Sequence, residues 1–354
     1  SVTDGKLELG DFVKVDMMKE PLSPLPITDE EANLFTTGWG LTGFNTLGYT
    51  MGDVTMTPDY PRAAQLASDM QKAIVGDDID GVFAVDPVFL QYMLGIVGGT
   101  QLPDGTVVDG SNAAKVLLHD IYWNYPVEEQ DAIFAAVAGS AFNKIVDELG
   151  SSDIAKIAGA IEKGASEGRI LMYSRNDDEE KAAKALGISG ALQADTSEAP
   201  ILGVYVNNYS YSKMDWFLDK RVTIDSSVEN ADGSTTYRVT TSLKNTMTPQ
   251  EKAEMPGYFQ GHNGISQDID DEVLRLYLYA PAGGSISDIK TSGSGSIEMN
   301  EATHDGLKVA WGGVHMLLGQ DIKVEYTVTT SKDSGHKELK VRTTPTAQTF
   351  EQDK

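Results

Sequence analysis

The feature that most constrains this chain is a change of hydrophobic period near Pro200. Before it, apolar residues recur at helical spacing, broken by a few short apolar runs. After it, helical spacing largely disappears and Thr, Val, Tyr and Ser alternate. Side chains repeat every 3.6 residues on a helix and every second residue on a strand, so one chain with both patterns in separate halves needs two cores. A length of 354 residues leaves room for them. The reading is an α/β domain over residues 1–198, a β-sandwich over 199–346 and a polar tail over 347–354, with the break between Thr196 and Gly203.

The first half turns on the stretch from Ile79 to Gly110. Val82, Phe83, Ala84 and Val85 form an apolar run of strand length, opened by Asp80-Gly81 and closed by Asp86-Pro87. A continuous apolar run suits a strand covered on both faces, so this one is expected inside its sheet. Asp86 is a good N-cap, and Pro87 at the first helical position gives up no hydrogen bond. Leu90, Met93, Leu94 and Val97 follow at helical spacing, and Gly98-Gly99 ends the helix. Further helices are read from Pro61 through Ile74, from a Ser111 cap through Ile121, over 128–149, from Asp153 to near Gly164 and over 179–186, with a short strand at 170–173. Helices mixed with a few apolar strands predict a central sheet with flanking helices.

The second half reads as strands at 201–206, 216–228, 235–243, 273–279, 307–311, 322–329 and 338–343. Asp232-Gly233 is a hairpin signal, because glycine reaches positive φ without steric cost. Short strands separated by turn clusters predict an immunoglobulin-like sandwich. Ser292-Gly293-Ser294-Gly295-Ser296 reads as a flexible turn. Residues 36–58 read as a long loop in which Trp39, Phe44 and Tyr49 either pin the loop to the domain or form a sugar-stacking surface.

Charge and composition exclude several functions. The formal charge of -25 opposes binding to nucleic acid or to an anionic membrane surface. Without cysteine there is no disulfide, thiol catalysis or Cys-ligated zinc. No apolar run approaches the roughly 20 residues of a membrane helix. The opening at Ser1 reads as a piece of something longer, so a missing targeting signal carries little weight.

Motifs narrow the chemistry further. Gly164-Ala165-Ser166-Glu167-Gly168 matches G-x-S-x-G, but a nucleophile elbow needs a strand before the serine and a helix after it. Here that order is reversed, which makes the motif a helix terminus. Asp78, Asp80 and Gly81 resemble part of a calcium loop, yet Gly76 and Pro87 stand where its first and twelfth ligands belong. Asp268, Asp270, Asp271 and Glu272 are the densest acidic cluster, read as a solvated loop ahead of a calcium site. His119, His262, His304, His315 and His336 show no H-x-x-x-H spacing. The segment from His119 to Pro126 gathers a histidine, an aspartate and three aromatics where two helices meet. It either fills that junction or lines a cleft, for which the candidate residues are Lys14, Arg62, His119, Asp120, Trp123 and Gln130.

These residues carry a resemblance. Asp80 to Pro87, Leu102-Pro103-Asp104-Gly105, and Asn112 to Tyr125 with Gln130 and Phe134 beyond resemble the bacterial domain-of-unknown-function family 4012. Gly168-Arg169-Ile170-Leu171, Gly203 to Asn208 and Ser212-Lys213-Met214-Asp215 resemble it too, so the likeness runs nearly the whole chain. It implies an uncharacterised cell-envelope protein of Gram-positive bacteria, extracellular at the cell surface and anchored by an upstream membrane segment. Val85-Asp86, Val97-Gly98-Gly99-Thr100 and Val108-Asp109-Gly110 followed by Ala113-Ala114 are also similar to the core of the LytR-CpsA-Psr phosphotransferases. That resemblance implies a related α/β topology and a polyprenyl-pyrophosphate-linked glycopolymer as substrate. Those enzymes clamp pyrophosphate with several arginines, whose planar fork matches phosphate oxygens. Between Ser1 and Gly168 this chain has only Arg62. The expectation is therefore a non-catalytic wall- or glycan-binding or scaffolding role. The alternative is a phosphotransferase that uses Mg2+ in place of the missing arginines.

Overall fold

The computed structural model describes residues 2–3, 6–7, 25–36, 47–102, 104–148, 154–192, 195–210, 212–260, 268 and 270–347. In chain order its main elements are α1 (Asp29–Phe35), α2 (Tyr60–Val75), β1 (Gly81–Val85), α3 (Pro87–Val97), α4 (Ala113–Lys115), α5 (Ile121–Asn124), α6 (Val127–Glu148), α7 (Ile154–Ser166), β2 (Ile170–Ser174) and α8 (Asp177–Ala185). Then come β3 (Ile201–Asn208), β4 (Leu218–Glu229), β5 (Thr235–Asn245), α9 (Pro249–Glu254), α10 (Gly257–Gln260), β6 (Glu272–Tyr279), β7 (Ser285–Gly293), β8 (Ser296–His304), β9 (Leu307–Met316), β10 (Asp321–Thr329) and β11 (Lys340–Thr343). Two compact units result. The first holds Ser1–Leu25, Thr50–Val54 and Asp59–Gly190, and the second holds Pro26–Tyr49, Thr55–Pro58 and Ala191–Lys354.

In the first unit, capping works as the sequence predicts. The Asp86 carboxylate accepts from the Phe89 N–H at 2.7 Å, and Pro87 opens α3. Gly98 ends the helix at φ 86°, a conformation that costs a residue with a side chain far more. One side of α3 packs Leu94 with Leu102, Val108, Leu117, Ile121, Ile133 and Val137. Its other side packs Phe89 and Met93 with Ile157, Ile170 and Ile188. Ser166 donates to the Lys163 carbonyl of its own helix at 2.8 Å, and Gly168 turns the chain at φ 70°. The G-x-S-x-G stretch is thus a helix terminus.

The expectation of a strand buried on both faces fails. Among the described residues β1 pairs with one strand, β2, antiparallel from Gly81–Ser174 to Val85–Ile170. Val82 and Ala84 face Tyr60, Ala63 and Ala64 of α2, while Phe83 is 64% exposed and Val85 57%. A run of four apolar residues has no alternation to reveal which face is covered. A second difference lies after Gly110. Asn112, not Ser111, precedes the helix, and Ser111 instead donates to the Asp109 carboxylate.

The second unit is built on two sheets. One has the order β8-β9-β6-β3-β11 and the other β7-β10-β5-β4. Pairing is antiparallel except where β11 joins β3 in parallel. Leu202, Leu274, Leu276 and Val314 of one sheet share a core with Val239, Leu243, Val324 and Val328 of the other, which makes the unit a sandwich. Asp232-Gly233 forms the predicted β4–β5 turn, with Gly233 at φ 96°. The Ser-Gly stretch at 292–296 is the tight connection between β7 and β8, two strands the sequence reading left out.

Candidate functional site

The segment from His119 to Pro126 is built on an irregular helix. Val116–Asp120 form a π turn between α4 and α5, and the Ile121 N–H reaches back five residues to the Val116 carbonyl. Single π turns inside α-helices recur at functional sites. The wide turn superimposes residues five apart, and this is what brings Lys115 to Asp120: Nζ lies 2.5 Å from Oδ1. The same carboxylate oxygen is 2.7 Å from His119 Nδ1. His119 in turn stacks on Trp123, one α-helical turn on, with ring centroids 4.7 Å apart and planes 18° apart. Val116, Leu117 and Ile121 of the same helix are buried in the core. His119, Asp120 and Trp123 are therefore brought together as a half-buried group, with Lys115 as its cation.

The other candidates stand elsewhere. Gln130 is buried and donates to the Tyr125 carbonyl at 3.1 Å, which fixes the corner at Pro126. The Tyr125 hydroxyl donates to Asp104 at 2.5 Å. Arg62 sits in the first turn of α2. Lys14 lies outside the described residues, as do Trp39 and Phe44.

A second ionic group escapes the sequence reading. The buried Arg169 guanidinium holds Asp86 through Nη1 at 2.7 Å and Glu167 through Nε at 2.6 Å. The Tyr92 hydroxyl donates to the same Glu167 oxygen at 2.9 Å, and the Lys163 ammonium lies 3.9 Å from the centre of the Tyr92 ring. Asp86 thus caps α3 and pairs with Arg169 at once. Arg169 stands 83 positions further along, and no local pattern announces a partner at that distance.

In the second unit the acidic cluster corrects another expectation. Asp270 pairs with Lys252 at 2.7 Å and accepts from the Leu318 N–H at 3.0 Å. Asp271 accepts from His315 at 3.0 Å, and this bond holds the imidazole above its usual pKa. Glu272 is fully buried. Asp270, Asp271 and Glu272 belong to the start of β6 and its surroundings, so these three are not a solvated loop, while Asp268 is exposed outside any regular element. Among the described residues no three acidic or histidine side chains are placed to hold a metal ion.

The family comparison covers a third of the chain. The later stretches from Gly168, Gly203 and Ser212, on which the sequence expectation also rested, fall beyond the matched region. No curated protein matches the chain. Over residues 1–122, which hold α2, β1, α3 and most of the π-turn helix, the chain is similar to the family described as Protein of unknown function (DUF4012).

Proposed function

We propose that this chain is an extracellular cell-envelope protein with a non-catalytic role, binding wall glycan or serving as a scaffold there. The supporting observation is the state of five cations in the first unit. Lys72 holds Asp78, Lys115 holds Asp120, Arg169 holds Asp86 and Glu167, and Arg175 lies beside Asp69 and Asp78. Lys144 donates to the carbonyls of Gly98 and Gly99 at the end of α3. A pyrophosphate needs pre-placed positive charge, and each of these cations already answers protein oxygens. A LytR-CpsA-Psr-like α/β topology, an immunoglobulin-like sandwich, surface location and an upstream membrane anchor belong to the same reading.

Two measurements test it. Sedimentation with purified Gram-positive cell walls is expected to retain the chain, and incubation with a polyprenyl-pyrophosphate-linked saccharide is expected to give no transfer, with or without Mg2+. Transfer that disappears in Arg62→Ala would establish the phosphotransferase alternative instead.

A further inference from the structure

The outer face of the five-stranded sheet carries side chains that the sandwich core does not use. Register sets Arg275 opposite Gly313 and Gly313 opposite Glu298; one step along, Tyr277 opposes Trp311 and Trp311 opposes Asn300. Directly paired residues share a face, so these groups are neighbours on the side away from Leu274, Leu276 and Val314.

Arg275 is only 9% exposed. Its guanidinium lies between two rings, 4.2 Å from the centre of Tyr209 and 4.5 Å from that of Trp311, and Nη1 donates to the Leu34 carbonyl at 2.9 Å. The head group is fixed, yet its Nε–H finds no acceptor, and neither does the indole Nε1–H of Trp311. Two buried donors without acceptors on adjoining side chains are uncommon in a folded protein and call for a reason. Gly313 stands beside them. It is exposed, and a methyl group placed there would meet nothing within 4 Å. Gly312, by contrast, is pressed against the Glu298 carbonyl and Ile297, so packing demands glycine at 312 and not at 313. The bare, exposed backbone at Gly313 stands between Arg275 on one neighbouring strand and the exposed Glu298 on the other, with Trp311 and the exposed Asn300 one pair along.

The geometry points to a binding site here for an uncharged N-acetylated saccharide, its ring over Gly313 and against Trp311. An amide carbonyl is the acceptor that the two N–H groups lack; both are buried in the free protein, so the proposed site opens to the ligand by a tilt of the indole toward Gly313. Glu298 and Asn300 supply partners for sugar hydroxyls. Glu298 and the chain charge of -25 oppose an anionic ligand. This site rests on the glycan-binding reading above and names its ligand class.

The test uses a tetramer of N-acetylglucosamine and the full chain. The protein has four tryptophans, so four indole N–H signals are followed by NMR. The expected result is a saturable shift of the signal that Trp311→Phe removes. Affinity should fall roughly tenfold or more in Trp311→Phe and in Gly313→Leu. Gly313→Leu fills an open site and is expected to fold normally by circular dichroism. Unchanged affinity in Gly313→Leu, or no shift of the Trp311 signal, would overturn the site. Equal binding of a glucose tetramer would overturn the N-acetyl assignment. Cell-wall retention of both wild type and Gly313→Leu would defeat this site while leaving the wall-binding reading intact. Tetramer binding without wall retention would do the reverse.

Discussion

Glu272 begins β6 with its carboxyl wholly inside the second unit and neither oxygen hydrogen-bonded. Burial, then the charges of Asp215 and Asp271, raise its pKa well above the ordinary carboxylate value. The folded state therefore keeps a proton that the unfolded chain releases. Stability linked to this group is full below the unfolded pKa and is lost as pH rises toward the folded one. Glu272→Gln removes the titration and keeps the shape. The expected outcome is a higher thermal midpoint at pH 7 to 8, by several degrees, and little change near pH 4; an equal shift at both pH values would contradict the assignment. His315 works in the same sense, since its pKa is also raised, through Asp271. Arg169 is the opposite case, a buried charge fully answered. Arg169→Ala leaves Asp86 without its cation and Glu167 with only the more distant Lys163, 4.0 Å away, and both carboxylates are about a third exposed. Urea unfolding is expected to show a loss of about 2–3 kcal/mol, below the full cost of orphaning a buried charge because water reaches the carboxylates.

Regular elements were legible where local rules decide them. Asp86-Pro87 and Gly98 bound α3 as their chemistry requires, and Asp232-Gly233 turns β4 into β5. Two capping boxes were equally legible and went unread: Thr28 with Glu31 at α1 and Thr248 with Glu251 at α9. The π turn was not legible, because Lys115 and Asp120 meet only once the helix has widened. Nor was the one-sided cover of β1, which depends on α2 arriving on a single face. Close approach between elements is also silent in sequence. Gly110, in the turn before α4, lies against the backbone of Gly95 in α3, so close that a methyl group at Gly110 would collide with it. Backbone cannot step aside as a flexible side chain can. Gly110→Ala is expected to destabilise the first unit by about 2–3 kcal/mol, measured by denaturant unfolding. A neutral result would mean that α3 and this turn are not held together as described.

At the scale of the whole molecule, the change of period near Pro200 gives no sign that Pro26–Tyr49 belongs to the second unit. That assignment rests on contacts such as Arg275 Nη1 and the Tyr277 hydroxyl on the Leu34 carbonyl, more than 200 positions apart, which no window of sequence can show. Charge is the whole-molecule property that sequence states outright. Acidic residues number 53 against 28 basic ones, so the folded chain repels itself. The ion pairs that work against this are largely at the surface, as with Lys72–Asp78 and Lys323–Glu325, where each contributes little. Salt shortens the range of both effects, from about 30 Å at 0.01 M to about 8 Å at 0.15 M. Repulsion, summed over many distant pairs, loses more than a few close pairs do. The thermal midpoint is therefore expected to rise by a few degrees as sodium chloride goes from 0.01 to 0.15 M at pH 7.5. A fall over that range would show that ion pairs dominate, and would weaken the case that negative charge keeps anionic polymers and pyrophosphate lipids away from this chain. A rise would show that repulsion among the excess acidic groups outweighs the ion pairs in setting the stability of this chain.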